Sequence, residues 1–276
     1  MNSHSIAVQA ALIPKKGSSR DECEDAFCVD HSPSSDKQRL GAVAVAISDG
    51  ATESIFAKKW AEMITRHAAD SSRCIPDGFT SSGGSFRHFI RQIMGSWESW
   101  VSSYVKQRVE DGRPLRWYEE AKLASGAFAT LLAAHFEEAS DGIWHAAAIG
   151  DSCLFQIRDQ RVIDQFPVQS SADFGVSPDL LGSRADPDTV CERTYFARGS
   201  FACGDEFFLM TDALAAWFVS TIENATPSQV KEALDKIKIF SRSENRSTFE
   251  SWLSAMIISG ELRNDDITLI RIRISE

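Results

Sequence analysis

Basic charge is in short supply in this chain: 29 Lys and Arg residues face 39 Asp and Glu, a formal net charge of −10 at pH 7. Nucleic acid and anionic membrane surfaces are recognised through cationic patches, so neither partner is expected. Long apolar runs are also missing, and none approaches the ~20 residues that cross a bilayer. The N-terminal stretch MNSHSIAVQAALIPKK carries its lysines after the apolar residues, not before them as an export leader does. A cytoplasmic location is the expectation. The six cysteines (Cys23, Cys28, Cys74, Cys153, Cys191, Cys203) contain no CxxC pair, and the six histidines contain no HExxH or HxH. A chain of 276 residues with 43% hydrophobic content can build its core without disulfide staples, so reduced thiols are expected and a zinc site is not.

What is present is a block pattern of strands and helices. Short runs rich in β-branched or small residues occur at Ile6–Ile13, Ala26–Val29 and Ala42–Ser48. Helical spacing follows, with Ile55, Phe56, Trp60, Met63, Ile64 and His67 behind a candidate N-cap at Thr52. A stronger apolar stripe runs about eighteen residues from Phe86 to Tyr104, entered from Gly83 and Gly84. The middle reads as an antiparallel meander of four strands: Gly126–Phe136, Ile143–Ile149, Cys153–Arg158 and Val162–Phe166. Its turns are Asp-Gly at 141–142, Gly-Asp at 150–151 and Asp-Gln at 159–160. Gln169–Ser200, interrupted by Pro178 and Pro187, reads as a flap-like insertion. Beyond it come a strand at Glu206–Met210, helices from about Asp212, from Pro227 and around Phe249–Ile257, and a last strand Ile267–Ile274. Blocks of this kind, without strict β-α alternation, favour an α+β fold of antiparallel sheets covered by helices.

Asp25, Asp49, Asp212 and Asp265 each stand where an apolar strand-like run meets a turn or helix. Carboxylates delivered from separate strand ends suit a hard divalent cation, Mg²⁺ or Mn²⁺, because a bare acidic cluster repels itself. Singly, each has a plainer reading: Asp49-Gly50 as an ordinary turn, Asp212 as a helix cap, Asp265-Asp266 as a solvated turn. Arg20 lies a short interval before Glu24-Asp25, and a guanidinium beside a cation site suits a phosphate group.

In order and spacing, the stretches RDECEDAF, AISDG, SGAFAT, AIGDS, FFLMTDA and NDDITL resemble the successive motifs of the type 2C, metal-dependent serine/threonine protein phosphatases, from Arg20 to Ile274. The resemblance implies a four-layer α-β-β-α sandwich of two mainly antiparallel sheets flanked by helices. It also implies one catalytic domain over 1–276, since its first and last ligands come from opposite ends. By the same resemblance Asp49 bridges two Mn²⁺ or Mg²⁺ ions, with the Gly50 carbonyl and Glu24 on one side and Asp212 and Asp265 on the other. Asp25 orients the attacking water, Arg20 holds the substrate phosphate, and Asp151 matches a position that supports a third ion in some members. The implied reaction is hydrolysis of phosphoserine or phosphothreonine in proteins, the products of a serine/threonine kinase, by attack of a hydroxide bridging the metals. The alternatives are hydrolysis of a small phosphorylated metabolite and a catalytically silent docking module. Departures from the family pattern stand at Ala51, Ala213 and Phe128, and none removes a ligand oxygen. Ser152 is read as a turn residue, and Cys28 and Cys153 as buried strand residues.

Overall fold

Residues 5–32, 42–74, 79, 81, 83–137, 142–175, 178–241 and 246–275 are described by the computed structural model. Their strands form two five-stranded sheets. The first contains β1 (Ser5–Ile13), β12 (Ile267–Ser275), β11 (Glu206–Met210), β7 (Cys153–Arg158) and β8 (Arg161–Phe166), in that order. The second runs β10 (Tyr195–Ser200), β6 (Ile143–Ile149), β5 (Leu131–Glu137), β3 (Ala42–Ser48) and β2 (Ala26–Ser32). Every neighbouring pair in both sheets is antiparallel.

The alternation of side chains along each strand dictates the layering. In β3, Val43, Val45 and Ile47 point between the two sheets, while Ala46 faces outward to the helices. In β11, Phe207 and Leu209 join the inter-sheet core and Phe208 and Met210 point the other way. Three apolar clusters result. One lies between the sheets, one between the second sheet and helices α1 (Ala57–Cys74) and α2 (Gly84–Glu110), and one between the first sheet and helices α5 (Asp212–Asn224), α6 (Pro227–Lys238) and α7 (Arg246–Ser259). The architecture is therefore the four-layer α-β-β-α sandwich implied by the motifs. Small outward residues such as Ala46, Ala133 and Ala147 let α1 approach the sheet closely, and Trp60 on α1 packs edge-on against Trp97 on α2 with centroids 5.4 Å apart. Among the described residues no helix is long and apolar enough to cross a membrane.

The structure departs from the sequence reading in several places. Thr52 does not cap a helix: α1 starts at Ala57, the Trp60 amide bonds to the Phe56 carbonyl, and Phe56 adopts a positive φ of 56°. The stripe read as eighteen residues belongs to a helix of 27 residues. A further helix, α3 (Trp117–Ser125), is entered where the Arg116 amide donates to Glu119 Oε2 at 2.8 Å. The run Gly126–Phe136 is not one strand. Phe128–Ala129 (β4) pairs with Leu181–Gly182 (β9), and only from Leu131 does the chain enter β5. Within the segment read as a flap, Pro187–Glu192 forms α4 and Tyr195–Ser200 forms edge strand β10. The expected turn residue Asp141 falls outside the described residues.

Candidate active site

The pairing of β1 with β12 places residues 242 or more apart in sequence side by side. Past the end of β1, the Lys15 amide donates to Asp266 Oδ1 at 2.7 Å, and the Glu24 amide donates to Asp266 Oδ2 at 2.8 Å. Asp266 is 5% exposed, so both of its oxygens are engaged in holding the 15–24 segment against the start of β12. That segment then presents Asp25, whose Oδ2 accepts from the Thr211 hydroxyl at 3.0 Å. The same hydroxyl accepts from the Thr268 amide at 2.8 Å, so Thr211 joins β2, β12 and the entrance to α5 at one point.

Asp49 ends β3 and is fixed from a second direction. Its amide donates to Thr130 Oγ1 at 2.9 Å, and its carbonyl accepts from the Thr130 amide at 2.8 Å. The Ser48 hydroxyl donates to the Thr130 carbonyl at 2.6 Å. The pairing continues past the clamp, with Ala129 bridging Gly50 and the Ala51 amide donating to the Phe128 carbonyl at 2.9 Å. Beside it, Gly50 lies against the 24 segment so tightly that a Cβ would stand 2.8 Å from the Glu24 carbonyl oxygen and 3.0 Å from the Ala57 carbonyl carbon. Gly150, at φ 103°, makes a similarly close approach to the Thr130 side chain and delivers Asp151 from the end of β6.

The acids act on one another. Burial first, then the charges of Asp25, Asp265 and Asp151, push the Asp49 carboxyl well above the ordinary carboxylate range, with Arg263 pulling the other way. Asp25 is pushed up to about 7, chiefly by burial, with Asp266 and Asp265 adding to it. Asp151 is raised by burial and lowered by Arg263. Such a cluster is short of positive charge, and a divalent cation would return these groups to their ionised forms. Arg263 supplies one counter-charge, pairing with Asp212 and standing 3.3 Å from Asp265.

The predicted residues are thus largely brought together: Asp25, Asp49, Asp151 and Asp265 by mutual charge, Asp212 through Arg263, and Glu24 and Gly50 by backbone contact. Arg20 is exposed and lines a cleft of about 270 Å³ with Asp25, Cys23 and Lys58. Lys58 Nζ donates to the carbonyls of Arg20 and Asp21 at 3.1 and 3.0 Å, holding that loop to α1. Among the described residues no three His, Cys, Asp or Glu side chains stand ready as a ligand group. The donor chemistry nevertheless fits a hard cation, since Asp25 Oδ1 and Asp151 Oδ1 are buried without a hydrogen-bond partner. Burial pushes the Cys23 thiol up to about 12, and Ser152 is buried with its hydroxyl 3.2 Å from that of Thr130. The roles that the motifs did not reveal are those of Thr130, Thr211 and Asp266, which lie inside the quoted stretches, and of Lys58 and Arg263, which lie outside them. Thr211 adjoins Asp212 and Asp266 adjoins Asp265, both already singled out.

A sequence model of the family described as Protein phosphatase 2C matches residues 17–257. No curated protein sequence matches the chain significantly. Among solved structures, similarity extends to the Mycobacterium tuberculosis serine/threonine phosphatase PstP/Ppp, at 14% identity and a TM-score of 0.53, covering 98% of this chain and 99% of that one. The catalytic domain of PstP in complex with two manganese ions matches at 13% identity and a TM-score of 0.51, covering 99% and 100%. A Bacillus subtilis SpoIIE fragment with its PP2C phosphatase domain matches at 15% identity and a TM-score of 0.52, covering 100% of this chain and 65% of that one. At such identities the structural likeness speaks to the fold alone.

Proposed function

The chain belongs to the protein phosphatase 2C family, and on that premise we propose that it hydrolyses phosphoserine or phosphothreonine in proteins with the help of two divalent cations, Mn²⁺ or Mg²⁺. The observation that carries the proposal is the gathering of Asp25, Asp49, Asp151 and Asp265 into one mutually repelling cluster beside the cleft of Arg20. Nothing in the packing requires such a cluster, and burying uncompensated carboxylates is costly. A bound pair of cations is the compensation this donor set suits.

In this reading Asp49, the Gly50 carbonyl, Glu24, Asp212 and Asp265 hold two ions, and Asp151 with Asp212 supports a third. The ions supply a nucleophilic water at neutral pH and neutralise charge on the phosphoryl group. Asp25, already anchored through one oxygen by Thr211, would have its other oxygen free to orient a water and accept a proton from it. Arg20, reaching from the loop that Lys58 secures, binds the phosphate oxygens and aligns the phosphorus for in-line attack.

The test is release of a small aryl phosphate by the full chain with and without Mn²⁺. Mn²⁺-stimulated turnover that falls at least about 100-fold in Asp49→Asn is expected. Turnover indifferent to Mn²⁺, or retained by Asp49→Asn, refutes the proposal. Phosphopeptides compared with small phosphorylated metabolites under the same metal conditions then test the substrate class.

A further inference from the structure

Arg263 belongs to none of the stretches that carry the family resemblance, yet it lies in the middle of the acidic cluster. Its Nη2 pairs with Asp212 Oδ2, and its Nε stands 3.3 Å from Asp265 Oδ2. The two carboxylates come from different elements, the first turn of α5 and the turn entering β12. The same charge reaches Asp49 and Asp151. One guanidinium therefore contacts two of the carboxylates assigned to the cations.

Resting on the metal-dependent reading, we propose that Arg263 is an intramolecular counter-ion that a divalent cation must displace from Asp212 and Asp265, so that this residue sets the affinity of the site for metal. Arg263 takes Oδ2 of both acids, while Oδ1 of Asp212 accepts from the Ala213 amide and Oδ1 of Asp265 from the Asp266 amide; a cation therefore competes with the guanidinium for the Oδ2 atoms, and the two positive charges repel. Arginine cannot yield by losing its proton. It has to move, and its position permits this: the side chain is 57% exposed, so it can swing toward water. Asp212, whose side chain is only 12% exposed, stays behind. A purely structural role, pinning α5 to the turn before β12, makes the opposite demand, because the pair would then have to persist when metal binds.

The experiment is calorimetric titration of the full chain with Mn²⁺ alone, comparing wild type, Arg263→Gln and Arg273→Gln. Arg273 is an exposed position six residues into β12, about 20 Å along the strand, and its loss removes the same net charge away from the cluster. Arg263→Gln is expected to bind Mn²⁺ roughly three- to tenfold more tightly, the scale of one partly exposed ion-pair network, while Arg273→Gln matches wild type. In EDTA, Arg263→Gln is expected to melt below wild type, and with saturating Mn²⁺ the two are expected to melt together. Unchanged or weaker Mn²⁺ binding by Arg263→Gln overturns the proposal in favour of a structural clamp. Equal tightening by Arg273→Gln overturns it in favour of a general field effect. Absence of Mn²⁺ binding in every protein overturns the metal-dependent reading itself and this inference with it, a result distinct from equal binding by all three.

Discussion

Replacing Thr130 by valine removes one oxygen from the clamp on Asp49 and almost nothing else. Thr130 is 1% exposed and its hydroxyl meets two groups, the Asp49 amide at 2.9 Å and the Ser152 hydroxyl at 3.2 Å. Valine keeps the branched shape, and the bonds from the Thr130 amide to the Asp49 carbonyl and from the Ser48 hydroxyl to the Thr130 carbonyl survive. What is lost is the partner of a donor N–H in a site closed to water, which costs about 1–3 kcal/mol. A value near 2 kcal/mol corresponds to a melting shift of roughly 4–8 °C in a chain of this size. Urea unfolding with an unchanged m-value measures it. Because the freed amide belongs to the residue assigned to bridge both cations, Mn²⁺ affinity is expected to fall several-fold as well, and to be kept in Thr130→Ser. A loss of stability under about 0.5 kcal/mol, together with unaltered Mn²⁺ binding, would refute the view that this hydroxyl positions Asp49.

Two other perturbations probe the same frame. Gly50→Ala puts a Cβ 2.8 Å from the Glu24 carbonyl oxygen and 3.0 Å from the Ala57 carbonyl carbon. Both are backbone atoms, so the 24 segment must retreat, and a loss of about 1–3 kcal/mol with markedly weaker Mn²⁺ binding is expected; a variant melting within 1 °C of wild type with the same affinity would contradict it. His135 lies on β5 opposite His145 of β6, which has the Glu137 carboxylate 3.9 Å away. Burial, then the neighbouring His145, pushes His135 down to about 4. Its folded pKa is thus below the unfolded value of ~6.5, so the unfolded chain binds the extra proton. The stability due to neutral His135 is complete above pH ~6.5 and is lost as pH falls toward ~4, by roughly 2 kcal/mol between pH 7 and 5. Urea midpoints at the two pH values should show that part of the decline missing from His135→Leu, and an identical decline in both proteins would sink the assignment.

The α+β class was legible in the blocks of strands and helices, and the four layers only through the family resemblance, because runs such as AVAVAIS and EFFLM are apolar on both faces and show no alternation of polar residues. In AVAVAIS and EFFLM the alternate residues divide between the inter-sheet core and a helix-facing core, and the carboxylates at the strand ends follow from the same registers. The clamps were not legible. Thr130 meets Asp49 across 81 residues of sequence and Thr211 meets Asp25 across 186, and no local periodicity encodes such pairs. Gly126–Phe136 reads locally as one strand, and only the partner in β9, distant in sequence, sets Phe128 and Ala129 apart as β4 while they still meet residues 50 and 51 on their other side. Arg263 escaped notice for another reason: an exposed arginine in a turn has the appearance of solvated charge until the acids around it are located in space.

The bond between the Glu24 amide and Asp266 spans 242 residues, and β1 is zipped to β12 along nine facing positions. A ribosome delivers the first of these partners long before the last. Until the final strand emerges, β1 has no neighbour in its own sheet, and Asp49, however well held by Thr130, waits for Asp265. Closing so large a loop is slow, so the pairing that aligns the 24 segment with Asp265 and Asp266 is among the late steps of folding. A product that stops short of Asp265 can shape much of the second sheet and its helices, yet it lacks that carboxylate, the Asp266 anchor of the 24 segment and the strand that pairs with β1.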